Sequence, residues 1–137
     1  MSAIRKSVHD LHDESVDLEA SIRKTIEPLR NGREVFLDFD ATNALEPIVK
    51  YCFAAVVKEA VSNIIKHSNS TQVRVIVREH PKIATLMIED NGTGASLESG
   101  GIGLESIRER VDALGGIVNI SAEKSEFKIF VSIVKKD

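Results

Sequence analysis

A chain of 137 residues has the length of one domain, and 42% hydrophobic with 28% charged residues at a mean hydropathy of -0.06 excludes disordered and fibrous classes. Lys and Arg number 18 against 21 Asp and Glu, a net charge of -3 with no block of like charge, so no electrostatic footprint for nucleic acid is present. The longest apolar run, around Cys52 to Val57, is far shorter than the ~20 residues of a membrane span, the N-terminus lacks a signal peptide's apolar stretch, and Cys52 has no partner for an internal disulfide. The expectation is a cytoplasmic, reducing setting with no membrane contact by this domain.

Met1 to Ser15 is polar and ends in the charged run from Val8 to Glu14, which reads as a helix end or linker. From Asp17, Leu18, Ile22, Ile26 and Leu29 recur every three or four positions and predict an amphipathic helix closing near Asn31-Gly32. Val35, Leu37 and Phe39 alternate with Phe36 and Asp38 as in a strand. Pro47 suits a first helical turn, and the pattern that follows predicts a helix to about Ser68 with an apolar arc of Phe53, Val57, Ala60, Val61, Ile64 and Ile65. Val73, Val75 and Val77 then mark a half-buried strand, His80-Pro81-Lys82 a turn, and Ile83 to Asp90 a more buried strand paired with it as a hairpin.

Five of the eight glycines, Gly92, Gly94, Gly100, Gly101 and Gly103, fall between Asn91 and Gly103. Leu104 to Leu114 reads as a helix stopped by Gly115-Gly116 in a left-handed cap, and Ile117 to Ser121 and Phe127 to Val134 as closing strands. Three helices and five strands, with hairpins dominating, predict an α+β fold: a two-layer α/β sandwich of one mixed five-stranded sheet with the helices on one face.

Three groups carry possible chemistry. On the helix from Pro47, Glu59 and Asn63 sit one turn apart at the edge of the apolar arc, with Lys66 and His67 a turn further on; a solvated helix edge is the plain alternative. In Glu89-Asp90-Asn91-Gly92-Thr93-Gly94 a strand ends in a carboxylate that can accept a hydrogen bond from a ligand amine, and glycines let a ligand approach, although Asn-Gly also serves a simple turn. Gly100-Gly101-Ile102-Gly103-Leu104 leads into a helix whose first N–H groups could meet an anion; it is neither a Walker A loop nor a dinucleotide fingerprint.

Taken in this order, with Asn63 27 residues before Asp90 and Asp90 11 before Gly101, the groups resemble the N, G1 and G2 boxes of the ATP-binding superfamily of gyrase, the ninety-kilodalton heat-shock chaperone and histidine kinases. Asn63-Ile64-Ile65-Lys66-His67, and the run from Gly101-Ile102-Gly103-Leu104 through Arg108-Glu109-Arg110 to Leu114-Gly115-Gly116, are similar to the DesK-like branch of sensor histidine kinases; the likeness covers about Asp17 to Val134. It implies a Bergerat-type fold over residues 16–137, with residues 1–15 as the end of a dimerisation helix or linker. It also implies a protein histidine kinase catalytic domain that binds ATP and Mg²⁺ and donates the γ-phosphate to a histidine on a separate dimerisation domain, for transfer to a response regulator.

By the same resemblance Asn63 would ligate Mg²⁺, Glu59 would assist catalysis, and Asp90 would accept from the adenine amino group. Gly92 and Gly94 would shape the adenine pocket, Gly101, Ile102, Gly103 and Leu104 would meet the phosphates, and Lys66 and His67 would approach them. The lid, 95–100, is only six residues, which implies modest affinity, and Ser125-Glu126-Phe127 stands where a Gly-Thr pair usually supports the adenine contact. Asp10-Leu11-His12-Asp13 imitates a phosphoacceptor box, but a helix and a strand fill the 47 residues to Glu59, so His12, like His9, reads as linker. Cys52 reads as a small buried hydrophobe, and Arg108 and Arg110 as a solvated helix face. The alternatives are an anti-sigma-factor serine kinase and a non-catalytic nucleotide-binding interaction module.

Overall fold

The structure, a computed structural model, describes residues 17–42, 45–92, 101–123 and 125–135, and for 101–103 the backbone alone. Residues 1–15 with His9 and His12, and Gly94, Gly100 and the six-residue lid, lie outside the described residues.

Helix α1, Leu18–Ile26, starts where the Asp17 carboxylate accepts the Ala20 N–H at 3.1 Å, and it buries Leu18, Ile22 and Ile26 on one stripe. It stops short of Asn31 because Pro28 has no N–H for Lys24 O. The Glu27 N–H takes that carbonyl instead, and Glu27–Arg30 continue as a single 3-10 turn that buries Leu29. Strand β1, Glu34–Asp40, leads to helix α2, Pro47–His67; Gln72–Glu79 and Ile83–Asp90 form the hairpin β2–β3. Helix α3, Gly101–Ala113, and strands β4, Ile117–Glu123, and β5, Glu126–Val134, complete the fold.

The sheet runs β1-β2-β3-β5-β4, with β1 parallel to β2 across the α2 connection and every other pair antiparallel. Register puts Val73, Val75 and Val77 of β2 against Asp90, Ile88 and Leu86 of β3, and these against Phe127, Ile129 and Val131 of β5. That row is the inner face, covered by three helices with α2 between α1 and α3. Being the middle helix, α2 is buried on a broad arc that includes Val49, Phe53, Val56, Val57, Ala60, Val61 and Ile64. Cys52 lies in it, and burial pushes its thiol pKa up, as expected of a packing residue. Ile65, which periodicity assigns to the arc, is 48% exposed: it follows Ile64 by 100° and falls past the edge that α1 covers. No helix among the described residues is long and apolar enough to cross a membrane.

One further difference of boundary matters. Helix α3 begins at Gly101 rather than Leu104, since the first turn donates no ladder hydrogen bonds and glycine's weak propensity is least damaging there. At its other end Gly115 adopts φ +70, its N–H bonds Asp112 O at 2.9 Å and the Gly116 N–H bonds Val111 O at 3.0 Å, a Schellman stop as the sequence predicts. The helix end is also pressed onto the sheet: a Cβ on Gly116 would stand 2.8 Å from Ser132 O and 2.9 Å from Val111 Cγ1. Gly116→Ala should therefore lower stability by about 2 kcal/mol in denaturant titration, because the clash is with strand backbone that cannot move alone.

Glu79 closes the far end of the sheet. Its carboxylate accepts from Lys135 Nζ at 2.7 Å and from the Thr42 N–H at 2.7 Å and hydroxyl at 2.8 Å, joining β2 to the exits of β1 and β5. The Lys135 hydrogen bond first, then the Thr42 N–H, hold its pKa down at about 2 against an ordinary 4.5. A depressed folded pKa stabilises above the unfolded value and loses that contribution as pH falls from about 4.5 towards 2. Glu79→Gln should cost about 1–2 kcal/mol at neutral pH, with the difference from the parent vanishing in acid, as followed by melts across that range.

Candidate functional site

Strand parity carries Asp90 inward. It continues the inner row of Ala84, Leu86 and Ile88, so its carboxylate ends up on the helix side of the sheet, 2% exposed. Oδ1 accepts the Gly92 N–H at 2.7 Å and the Ser68 hydroxyl at 3.2 Å. Oδ2 is fully buried and has no hydrogen-bond partner among the described residues. Burial pushes the carboxyl's pKa up, opposed by the Gly92 N–H, the Ser68 hydroxyl and the Arg33 charge. A buried acceptor left open in this way is the place where a ligand's N–H gains most.

Gly92 is required by close approach. A Cβ there would collide with Ser68 Oγ and lie 2.9 Å from Asp90 Oδ1, so any side chain would break the contacts that orient the carboxylate. Asn91 fixes the same corner: its Oδ1 accepts the Thr71 and Gln72 N–H groups at 2.8 and 3.0 Å, and its Nδ2 donates to Thr71 Oγ1 at 3.0 Å. The Asn-Gly pair thus anchors the end of β3 to the start of β2 and does not close a two-residue hairpin.

On α2, Glu59 and Asn63 are both half-buried, one turn apart. The Asn63 Nδ2 is the second buried polar atom without a partner among the described residues. An orphaned donor on α2 and an orphaned acceptor on β3 are complementary to a ligand with both kinds of group. Lys66 and His67 are exposed in the last turn of α2, where cations suit the helix dipole. The backbone of Gly101, Ile102, Gly103 and Leu104 forms the first turn of α3, whose N–H groups have no partner within the helix. Leu104 itself is 4% exposed and its side chain belongs to the core, so only its backbone could serve a ligand. The amide oxygen of Asn63 is the kind of neutral oxygen that Mg²⁺ accepts as one of its few protein ligands, the rest coming from phosphate and water.

A cavity of about 250 Å³ opens at the ends of β2, β3 and β5, lined by Gln72, Arg74, Glu89, Asp90, Asn91, Ser125 and Glu126; Arg74 and Glu89 face the outer side of the sheet, so it lies opposite the side to which the Asp90 carboxylate turns. Arg33, Ser68 and Ser70 are not singled out by the sequence. The signal available was the polar run Ser68-Asn69-Ser70-Thr71 directly after a long helix, where side chains take up free backbone groups.

A model of the family described as "Histidine kinase-, DNA gyrase B-, and HSP90-like ATPase" matches residues 52–136. The chain is 26% identical over 135 residues, 92% of its length, to the signal transduction histidine-protein kinase/phosphatase DegS of Brevibacillus brevis, and spans 35% of that protein. To the nitrate/nitrite sensor protein NarQ of Escherichia coli it is 30% identical over 115 residues, 79% of this chain and 20% of the other. Its fold is that of the Acinetobacter baumannii histidine kinase AdeS, with a TM-score of 0.71 at 21% identity over 88% of this chain and 66% of the solved one.

Asp90→Asn keeps an acceptor for Gly92 and Ser68 and removes a buried charge. A carboxyl whose folded pKa is raised weakens the fold once ionised and stops doing so as pH falls through that pKa. The variant should be more stable than the parent by about 1 kcal/mol at neutral pH, with the gap closing on acidification; a lower melting temperature would show the carboxylate to be fully compensated.

Proposed function

We propose, since the chain belongs to the family of histidine kinase-, DNA gyrase B- and HSP90-like ATPases, that it is the ATP-binding catalytic part of a two-component sensor histidine kinase. The observation that carries this reading is the buried Asp90 with its open Oδ2, a group suited to one N–H donor and hence to the adenine amino group. The chain spans 35% and 20% of the two sensor kinases named above, so the dimerisation domain with its phosphoacceptor histidine, and the response regulator, are partners proposed from those relatives. Residues 16–137 form the ATP-binding unit, and residues 1–15 are assigned to the end of a dimerisation helix or linker.

In this reading Asp90 selects the base, and Gly92 and Gly94 keep the pocket wall low enough for a planar ring. Asn63 holds Mg²⁺ through its amide oxygen, with its orphaned Nδ2 free to donate to a phosphate oxygen, and Glu59 lies one turn away to assist at the reacting end. Bound Mg²⁺ would neutralise phosphate charge. The first-turn N–H groups of Gly101 to Leu104 receive phosphate oxygens, and Lys66 adds positive charge and His67 an imidazole at the rim. Phosphoryl transfer needs little covalent chemistry from the protein, so positioning and electrostatics suffice.

Calorimetric titration with ATP, with and without Mg²⁺, tests this on the parent and on Asn63→Ala, followed by mixing with a dimerisation domain that carries an acceptor histidine. Binding that Mg²⁺ strengthens in the parent, with the Mg²⁺ effect reduced about tenfold or more in Asn63→Ala, and phosphate transfer to histidine, are expected. Transfer to serine would point to an anti-sigma-factor kinase, binding without transfer to an interaction module, and no binding at millimolar ATP would overturn the reading.

A further inference from the structure

Asp90 is reached by a chain of side-chain contacts that lies outside all three sequence motifs. Ser68 leaves the end of α2 in an extended conformation, and its N–H closes the helix on Ile64 O at 3.0 Å. Its hydroxyl has both roles fixed: the oxygen accepts the Ser70 N–H at 3.1 Å, and the proton points to Asp90 Oδ1 at 3.2 Å. A hydroxyl held on both sides cannot rotate freely. The Gly92 contact comes from within the same loop, whereas Ser68 joins the carboxylate to a different element, across 22 residues of chain.

Arg33, just before β1, secures Ser68 in turn. Its Nη2 donates to Ser68 O at 3.1 Å and to Ile64 O at 3.4 Å, and its Nε donates to Ser70 Oγ at 3.0 Å. One guanidinium thus takes up the Ser68 carbonyl just past the end of α2 and shares the Ile64 carbonyl with the Ser68 N–H, where the helix dipole favours a cation, and holds both serines. Its charge also acts on Asp90.

We propose that Ser68 is a positioning residue for base recognition: by engaging Oδ1 it turns Oδ2 of Asp90 towards the ligand, and Arg33 holds Ser68 in the place where it can do so. This rests on the reading of Asp90 as the adenine acceptor. Without Ser68 the carboxylate would be tied by Gly92 alone, and both oxygens could exchange places at the ligand side.

Two measurements separate this proposal from the reading beneath it. In the first, binding of ATP is compared with that of inosine triphosphate, which presents a carbonyl where ATP has the amine. The parent should prefer ATP; Ser68→Ala should reduce that preference about tenfold, the worth of one hydrogen bond to a charged group, and Ser68→Thr, which keeps the hydroxyl, should restore most of it. The second needs no nucleotide. Carboxyl-carbon NMR titration of Asp90 should show its pKa rising in Ser68→Ala and in Arg33→Gln and unmoved in Ser68→Thr. An Asp90 titration unmoved in Ser68→Ala, or an ATP preference unchanged in it, overturns the role of Ser68. A parent that binds both nucleotides equally overturns the adenine reading, while a shifted titration in Ser68→Ala would still uphold the hold of Ser68 on the carboxylate.

Discussion

The carboxylate of Asp90 is carried into the interior by the two-residue period of β3, and the rest of the site is arranged around that fact. Parity leaves it no route to solvent, because Ile88 and Leu86 before it must face the helices. An ionised group so placed is destabilising unless dipoles and charges answer it. Three parts of the chain do so: the Gly92 N–H from the following turn, the Ser68 hydroxyl from the end of α2, and the Arg33 charge from the entry to β1. The absence of a side chain at Gly92 belongs to the same constraint, since the carboxylate and Ser68 occupy the space a Cβ would need.

Helix α2 links this corner to the core. It lies between α1 and α3 over the inner face of the sheet, so its apolar arc is broad and its remaining edge narrow. Glu59 and Asn63 sit on that edge, half-buried, and cannot move without moving Val57, Ala60, Val61 and Ile64 beside them. The stop of α3 at Gly115-Gly116, pressed against β5, fixes how the C-terminal end of α3 seats on the sheet.

Most of the fold was legible in the residues because their periods are clean. The alternation in Val73-Val75-Val77 and Ile129-Val131-Ile133, and the stripe Leu18-Ile22-Ile26, each encode a face directly, and the structure places each on the inner side. Ends were less legible: Pro28 stops an α helix that the apolar period would extend, and Gly101 to Gly103 read as loop although their backbone is helical. Ile65 shows the limit of periodicity, which gives the direction of a side chain but not whether a neighbour covers it. Within the site, Asp90 and Gly92 stand out as a carboxylate and glycine after a buried strand. Ser68 and Arg33 do not, because their role depends on contacts 22 and 35 residues apart, and nothing local marks a serine that answers a distant carboxylate.

Glu89 and Asp90 are chain neighbours with opposite solutions to the same problem. Glu89 faces the outer side, where Arg74 lies at 3.2 Å and Lys128 at 3.9 Å, and where a hydrogen bond with Glu126 is the main reason that its pKa is raised while that of Glu126 is lowered. Two cations and a neighbouring carboxyl answer it. Asp90, on the inner side, has hydrogen bonds on one oxygen and, among the described residues, none on the other. A ligand N–H arriving at Oδ2 therefore displaces no partner among the described residues, and it favours the ionised carboxylate that burial disfavours. Donor binding and ionisation of Asp90 must then be linked, each strengthening the other by the same factor. The strain that makes this carboxylate costly in the empty protein is what would make the pocket selective for a base with an amine at that edge.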